Sequence, residues 1–530
     1  MADENQRMVP HVFVTRGDLT KLSCDAWLLP TDQGFQVTET WLNRLPELKP
    51  QVESLRRGAN VPENWHAGRS RVLSLEAPSS TPRPYLVNEG AHSGIEVEWF
   101  VAGVHEFLET VADDLRSSAP LNSRVTHLVA LPLVGTGRGG GAEHAGDIMR
   151  ALLPELERAA DTHKFDIALV TANGPAFAAA QSVRRSSVGQ DRETPAGWAD
   201  LDEALLNHAR RLTEQAAAGS LVLFLGAGVS AGAGLPNWND LLKELAQRAG
   251  MAAELEALKK LDILDAGAVV VTRLKKHGES AASVIGQLFD KGCYSLAHSL
   301  LAALPVTEVV TTNYDTLFEL ASAGAGYPAQ VLPYAPAVKK ERWLLKLHGS
   351  VQYPDDIVLS REDYLRYADR RAALAGIVQA LLITRHMLFV GFSLSDQNFH
   401  RIADDVRKAV RGPNGGDQVD QEFGTALFLE RDRLREELWR GDLHCVSMSE
   451  RDTAGAKDAR RAEIFLDYLL ADASGHVAPL LDDAYVSILS GEERQIRNLL
   501  LSLEGAVTPE LEQTPAWRRV ANLLREFRGG

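Results

Sequence analysis

The stretch Leu221 to Leu242, LVLFLGAGVSAGAGLPNWNDLL, constrains this chain more than any other segment. Five consecutive apolar residues run directly into Gly226-Ala227-Gly228, and a further glycine follows at 232. The pattern predicts a buried strand, a tight turn and the start of a helix. A glycine turn of this kind brings backbone N–H groups and a helix N-terminus up to a pyrophosphate with no Cβ in the way. A plain strand-to-helix turn produces the same short signature, so the motif alone leaves both readings open.

At 530 residues the chain exceeds one ordinary core, and two or three domains are expected. Hydrophobic residues make up 45% and charged residues 24%, the balance of a soluble globular protein. No apolar run approaches the roughly 20 residues needed to span a bilayer. The N-terminal MADENQRMVPHVFV is acidic and polar, unlike a secretory leader, which predicts a cytoplasmic location. The formal net charge of −15 argues against general nucleic-acid binding, which depends on Lys and Arg neutralising phosphates. Cys24, Cys293 and Cys445 lie far apart and form no C-x-x-C pair, so a four-cysteine zinc site is excluded and no metal is expected.

Alternation of apolar strand runs with helical periodicity predicts an α/β domain over residues 1–180. VFVTRGDLTKLSCDAWLLP supplies two apolar runs, and VTHLVALPLV and FDIALVTANG read as further strands. The polar segment 181–198 suits a linker. A second α/β domain is expected over 199–454. There VTEVVTTNYD, RWLLKLHGS, MLFVGFS and GTALFLE each place polar or glycine residues directly after an apolar run. In an open parallel sheet, ligands bind at the carboxyl ends of the strands. From 455 to 530 the leucine spacing predicts amphipathic helices, suited to a helical cap or an oligomerisation element.

Over roughly residues 200–450 the chain resembles the sirtuin superfamily. GAGVSAGAGLPNW at 226–238 is similar to the family loop covering the NAD pyrophosphate and nicotinamide ribose. TTNYD at 311–315 resembles the T-Q-N-x-D strand end, and KLHG at 346–349 the segment bearing the catalytic histidine. VGFSLSD at 390–396 resembles the V-G-T-S loop near the adenosine half. The resemblance implies a Rossmann-like parallel sheet and NAD contacts from Gly226, Ala227, Gly228, Ser230, Pro236, Trp238, Gly391 and Ser393.

Breaking the bond between nicotinamide and ribose generates an oxocarbenium-like centre, which needs charge stabilisation and a positioned acceptor. Asn313 is suited to holding a water and a ribose hydroxyl. His348 is of the residue type that titrates near neutrality and can take a proton from water or a hydroxyl. By analogy with the family, Asp315 bonds the nicotinamide carboxamide. Each residue also has a structural reading. Asn-x-Asp after a strand commonly forms a local turn. A histidine before glycine can simply end a strand, and Ser393 and Asp396 can cap the helix QNFHRIADDVRKAV.

The chain departs from deacylase sirtuins in three ways: it lacks zinc cysteines, Thr312 stands where the family has glutamine, and Asn237-Trp238 replace F-R. The pattern is closer to the zinc-free branch of prokaryotic anti-phage defence proteins. That implies cleavage of NAD, as substrate, to nicotinamide and ADP-ribose with water as acceptor. Protein deacylation or ADP-ribosyl transfer, and non-catalytic sensing of NAD or ADP-ribose, are the competing readings.

The first domain resembles a macro domain through TRGDLTKLSCDAWLLPTD at 15–32 and ALPLVGTGRGGG at 130–141. This resemblance implies an ADP-ribose-like ligand, with Asp18 near an adenine and Gly135 to Gly141 near a diphosphate. Backbone nests of that kind bind anions without basic side chains. Leu29-Pro30-Thr31-Asp32 stands where the family carries asparagines. A homo-oligomer is expected, with a separately encoded defence partner such as an ATPase as a further candidate for restraint, and no membrane association.

Overall fold

The computed structural model describes residues 8–78, 81–90, 96–137, 140–187, 197–411, 422–474 and 479–528. Contacts divide the chain into two compact units, one of Met1–Glu203 with Leu470–Gly530 and one of Ala204–Leu469.

In the first unit, β1 (Val12–Arg16), β2 (Ala26–Thr31), β3 (Val72–Ser74), β4 (Arg83–Asn88), β5 (Leu128–Pro132) and β6 (Asp166–Thr171) form one sheet. Its order is β1-β6-β5-β2-β4-β3. All pairings are parallel except β3 with β4, in keeping with the largely parallel or mixed sheet that alternating strands and helices imply. β6 is buried along its whole length, as a strand covered on both faces must be. Helix α1 (Val97–Leu115) buries Phe100, Val104, Phe107, Leu108, Val111 and Leu115, a stripe at helical spacing.

Helices α2 (Ala145–His163) and α3 (Gly174–Ser187) follow, and α3 runs into the segment expected as a linker because Ala176–Ala180, Gln181 and Val183 are buried. Residues 188–196 of that segment lie outside the described residues. The chain after 470 groups with this unit rather than standing alone. Tyr485 packs with Ala145, Ala176 and Ala179, and Arg150 donates to the Ser487 carbonyl. The helix expected over VSILSGEERQIRNLLLSLEGA starts at Gly491, because Ser490 and Glu493 form a capping box there.

One buried carboxyl stands out at the end of β4. Glu89 is 1% exposed, lies 3.8 Å from Arg71, and neither of its oxygens has a hydrogen-bond partner. Burial pushes its pKa well above the ordinary carboxylate range, with Arg71 opposing. Arg71 itself is committed elsewhere, donating to the Asn88 and Trp99 carbonyls and lying 3.7 Å over the Trp99 ring.

The second unit holds seven strands: β7 (Leu221–Leu225), β8 (Glu308–Thr311), β9 (Gln330–Leu332), β10 (Trp343–Lys346), β11 (His386–Val390), β12 (Gly424–Phe428) and β13 (Leu443–Ser447). Their order is β13-β12-β11-β7-β8-β10-β9, and every pairing is parallel. The chain builds from β7 toward β8, β10 and β9, then crosses back to place β11 on the other flank of β7. The order therefore reverses between β7 and β11, the switch point where open α/β sheets leave a crevice at their carboxyl ends. Beneath it, the rings of Phe224, Phe389, Phe392 and Phe399 pack together, mostly tilted or edge-to-face, with centroids 4.6 to 6.2 Å apart. Aromatic pairs at such distances add about 0.5–1.5 kcal/mol each beyond area burial. Around the crevice lie α4 (Ala227–Ala231), α5 (Trp238–Arg248), α6 (Leu296–Ala303), α7 (Arg361–Thr384) and α8 (Gln397–Arg411).

Candidate active site

The two loops at the switch point close on each other backbone to backbone. Gly226 N–H donates to the Val390 carbonyl at 3.0 Å, and Gly228 N–H to the Gly391 carbonyl at 2.9 Å. A Cβ on Gly226 would sit 2.6 Å from Phe392 Cα, and one on Gly228 2.8 Å from Gly391 Cα. Gly391 has φ +64, and a Cβ there would lie 2.5 Å from Val229 N. The glycines that read as a phosphate approach thus serve first as the packing surface between β7 and β11. Gly391 and Gly228 remain exposed, and Ala227 is half-buried.

Below this clasp runs a chain of buried polar groups. Asn313 Nδ2 donates to the Gly226 carbonyl and to Ser230 Oγ, each at 3.1 Å. A carbonyl only accepts, so the amide nitrogen must face Gly226 and the orientation of the carboxamide is fixed. Both Nδ2 hydrogens are then used, and Oδ1 is the group left to meet a ligand, as an acceptor. Ser230 Oγ donates onward to Asp315 Oδ2 at 2.8 Å. Asp315 is 3% exposed and its Oδ1 accepts from Leu317 N–H at 3.0 Å, so each carboxylate oxygen already holds one hydrogen bond.

Lys346 supports this chain from underneath. Its side chain is fully buried, donates to the Asp315 carbonyl, and pairs with Glu319 at 2.9 Å. Burial raises the Glu319 pKa, and Lys346 opposes that rise. At the N-cap of α6, Ser295 Oγ donates to the Val229 carbonyl at 2.8 Å, and a capping box pairs His298 N–H with Ser295 Oγ and Ser295 N–H with His298 Nδ1. Burial lowers the His298 pKa to about 4, so this imidazole is neutral and structural.

Thr311 at the end of β8 pairs with Lys346 at the end of β10, so Asn313 and His348 each lie two residues past one rung of the sheet. His348 is 5% exposed, and its Nε2 lies 3.5 Å from Asp396 Oδ2. Tyr364 Oη donates to the same Asp396 oxygen at 2.7 Å, and its ring meets the imidazole edge-on, with centroids 5.5 Å apart. Burial lowers the His348 pKa, Asp396 raises it, and Arg371 lowers it further. Arg371 breaks the helical geometry of α7 at φ −129 and ψ 20, and donates to the Leu347 and Asp356 carbonyls. A cavity of about 320 Å³ lies beside this segment, walled by Pro333, Asp356, Val358 and Arg371; neither Asn313 nor His348 lines it.

Of the two cap candidates, Asp396 caps α8, accepting Phe399 N–H at 2.8 Å. Ser393 is exposed, with its hydroxyl 2.6 Å from that of Ser395. Pro236 is half-buried, and Trp238 begins α5 behind its cap Asn237, with its ring 6.4 Å from Tyr314. The indole Nε1 of Trp238 is buried without a hydrogen-bond partner. Lys346, Glu319, Tyr364 and Arg371 were not singled out from the sequence. A lysine inside the apolar run WLLKLHG was the available signal, since lysine is almost never fully buried unless paired.

In the first unit, Asp18 Oδ1 accepts from Thr20 N–H and Oγ, and Oδ2 lies 3.2 Å from Arg44. A Cβ on Gly135, at φ +76, would lie 2.6 Å from the Phe100 ring, and one on Gly141 2.7 Å from it. That glycine loop closes over an aromatic side chain; its residues 138–139 lie outside the described residues.

Residues 307–442 match the SIR2-like domain family. That match lies within the second unit. The Bacillus cereus (strain MSX-D12) protein NAD(+) hydrolase ThsA is 29% identical over 223 residues, covering 41% of this chain and 44% of that protein. Defense-associated sirtuin 2 of Bacillus subtilis is 28% identical over 223 residues, covering 39% of this chain and 21% of the relative. The matched stretch therefore spans less than half the length of these curated relatives. A macrodomain of Oceanobacillus iheyensis aligns over 34% of this chain and 94% of its own, with 8% identity and a TM-score of 0.27. Among the described residues, no group of three His, Cys, Asp or Glu side chains is placed to hold a metal ion around the SIR2-like domain or elsewhere. No helix among them is long and apolar enough to cross a membrane.

Proposed function

We propose that this protein is an NAD+ glycohydrolase effector of anti-phage defence, acting in the cytoplasm and cleaving NAD+ to nicotinamide and ADP-ribose. The observation that carries the reading is the fixed Asn313 amide, which presents Oδ1 as an acceptor one strand away from the buried His348. The SIR2-like match and the NAD(+) hydrolase and defence-associated relatives support it.

In this reaction the C1′–N bond breaks and its electron pair passes to the nicotinamide nitrogen. A water oxygen bonds C1′, and its proton passes to His348 and then to solvent. Asn313 Oδ1 orients the water and a ribose hydroxyl. Gly226, Ala227, Gly228, Ser230, Pro236, Trp238, Gly391 and Ser393 line the nucleotide, and Asp315 keeps the nicotinamide side of the pocket in register through Ser230. The test follows nicotinamide release from NAD+ by the full chain, without any peptide. Asn313→Ala and His348→Ala are each expected to lower release by on the order of 10²- to 10⁴-fold. Release that requires an acyl-lysine peptide points to a protein-modifying enzyme, and binding without turnover points to a sensor.

Free NAD cleavage needs restraint, and we assign that role to the first unit as a macro-like module. It would take an ADP-ribose-like ligand around Asp18 and residues 135–141, within a homo-oligomer or with a separately encoded partner such as an ATPase. Equal turnover by the full chain with and without ADP-ribose, and by an Asp18→Ala variant, removes that assignment.

A further inference from the structure

The cluster around His348 contains two side chains that the reaction above leaves unused. Asp396 comes from the loop after β11 and Tyr364 from the first turns of α7. His348 comes from the end of β10. These elements are far apart in sequence, yet they converge on one carboxylate oxygen: Tyr364 Oη at 2.7 Å and His348 Nε2 at 3.5 Å, both from Asp396 Oδ2. The second oxygen, Oδ1, is held by Phe399 N–H at the head of α8. A carboxylate gripped on both oxygens by donors is fixed in place. Tyr364 is itself placed by the Ser360–Asp363 capping box that starts α7.

We propose that Asp396, held by Tyr364, is the positioning residue that makes His348 a base: it holds the imidazole in place and balances the imidazolium that forms when His348 takes a proton. This rests on the NAD-cleavage reading for its chemical consequence, though not for the coupling itself. Among the described residues, the groups facing His348 include Asp396 from the β11 loop and Tyr364 and Arg371 from α7. Burial and Arg371 disfavour the imidazolium, and Asp396 is the only one of these that favours it. Without Asp396, a histidine this deeply buried is a poor proton acceptor at neutral pH. Moreover, Asp396 ties the base to the same loop that carries Gly391. The nucleotide-side clasp and the proton acceptor are therefore mounted on one element.

The test titrates the His348 ring by NMR in the histidine-labelled full chain, with its signal assigned by its loss in His348→Gln. Asp396→Asn keeps an acceptor for Phe399 N–H, so α8 stays capped, but removes the charge. It is expected to lower the His348 midpoint by about one pH unit or more, as loss of an opposite charge at this distance does. In parallel, kcat for nicotinamide release is expected to fall on the order of tenfold, with KM for NAD+ little changed and the acid limb of the pH profile moved down. Tyr364→Phe frees the carboxylate from its competing donor. It is expected to move the His348 midpoint in the opposite direction, a response that lost packing alone does not produce. An unchanged His348 titration in folded Asp396→Asn overturns the proposal whatever the turnover. A shifted titration in a chain whose wild type releases no nicotinamide keeps the coupling and overturns the NAD-cleavage reading instead.

Discussion

Both units carry a glycine-rich turn at the end of a parallel strand, yet the glycines are there for different reasons. At the switch point of the second unit, Gly226, Gly228 and Gly391 meet backbone, and the two loops share hydrogen bonds. In the first unit, Gly135 and Gly141 meet the ring of Phe100, a side chain that substitution can trim. The strand ends differ as well. Those of the second unit carry two polar clusters, Asn313–Ser230–Asp315 and His348–Asp396, whereas Asp18 in the first is engaged by Thr20 and Arg44. A glycine turn after a strand therefore encodes close packing. The polar side chains mounted around it carry the chemistry.

The largest test of this contrast compares two alanine substitutions. Gly226→Ala is expected to destabilise the chain by on the order of 3 kcal/mol, because backbone cannot give way to the new methyl. Gly141→Ala, at a glycine with φ −100, is expected to cost a similar amount, but a second substitution, Phe100→Leu, should recover a good part of it. Chemical denaturation of both single variants and the double variant measures this. If Phe100→Leu fails to rescue Gly141→Ala, the two loops are alike after all.

A second contrast concerns buried acids. Glu319 has Lys346 at 2.9 Å, whereas Glu89 has only Arg71 at 3.8 Å. The folded pKa of Glu89 is raised, so its contribution is fully present below the ordinary carboxylate range and is lost as pH rises through the folded value. Glu89→Gln removes the buried charge while leaving Arg71 its carbonyl acceptors. Melting curves are expected to show a gain of about 2–4 °C at pH 8 and none at pH 4. A gain independent of pH contradicts this account. The smallest effect belongs to Asp18→Asn, which keeps the local cap and loses an ion pair whose Arg44 partner is half exposed. It should cost under about 1 kcal/mol in the same denaturation experiment.

The strands of both sheets and the polar residues at their ends were legible in the sequence, because an apolar run that stops at a polar residue marks a strand and its end together. Asn313, His348 and Asp396 were found that way. What could not be read was which of those ends touch. Lys346 under Asp315, and Tyr364 against Asp396, depend on pairings set by the order of strands and the placement of α7. Two local signals were present and unread: a lysine within an apolar strand, and Ser490-x-x-Glu493 as a helix start. The positions of the glycines were legible but not their protein neighbours, since sequence spacing marks a missing Cβ without saying what packs beside it.

The clasp between Gly226, Gly228 and Gly391 has a mechanical consequence. Two loops joined by main-chain hydrogen bonds, with no side chain between them, have no rotamers to rearrange and no gap to compress. That edge of the crevice is a fixed jaw. A ligand seated against it meets a surface already in its bound shape, and little of the binding free energy goes into ordering the protein there.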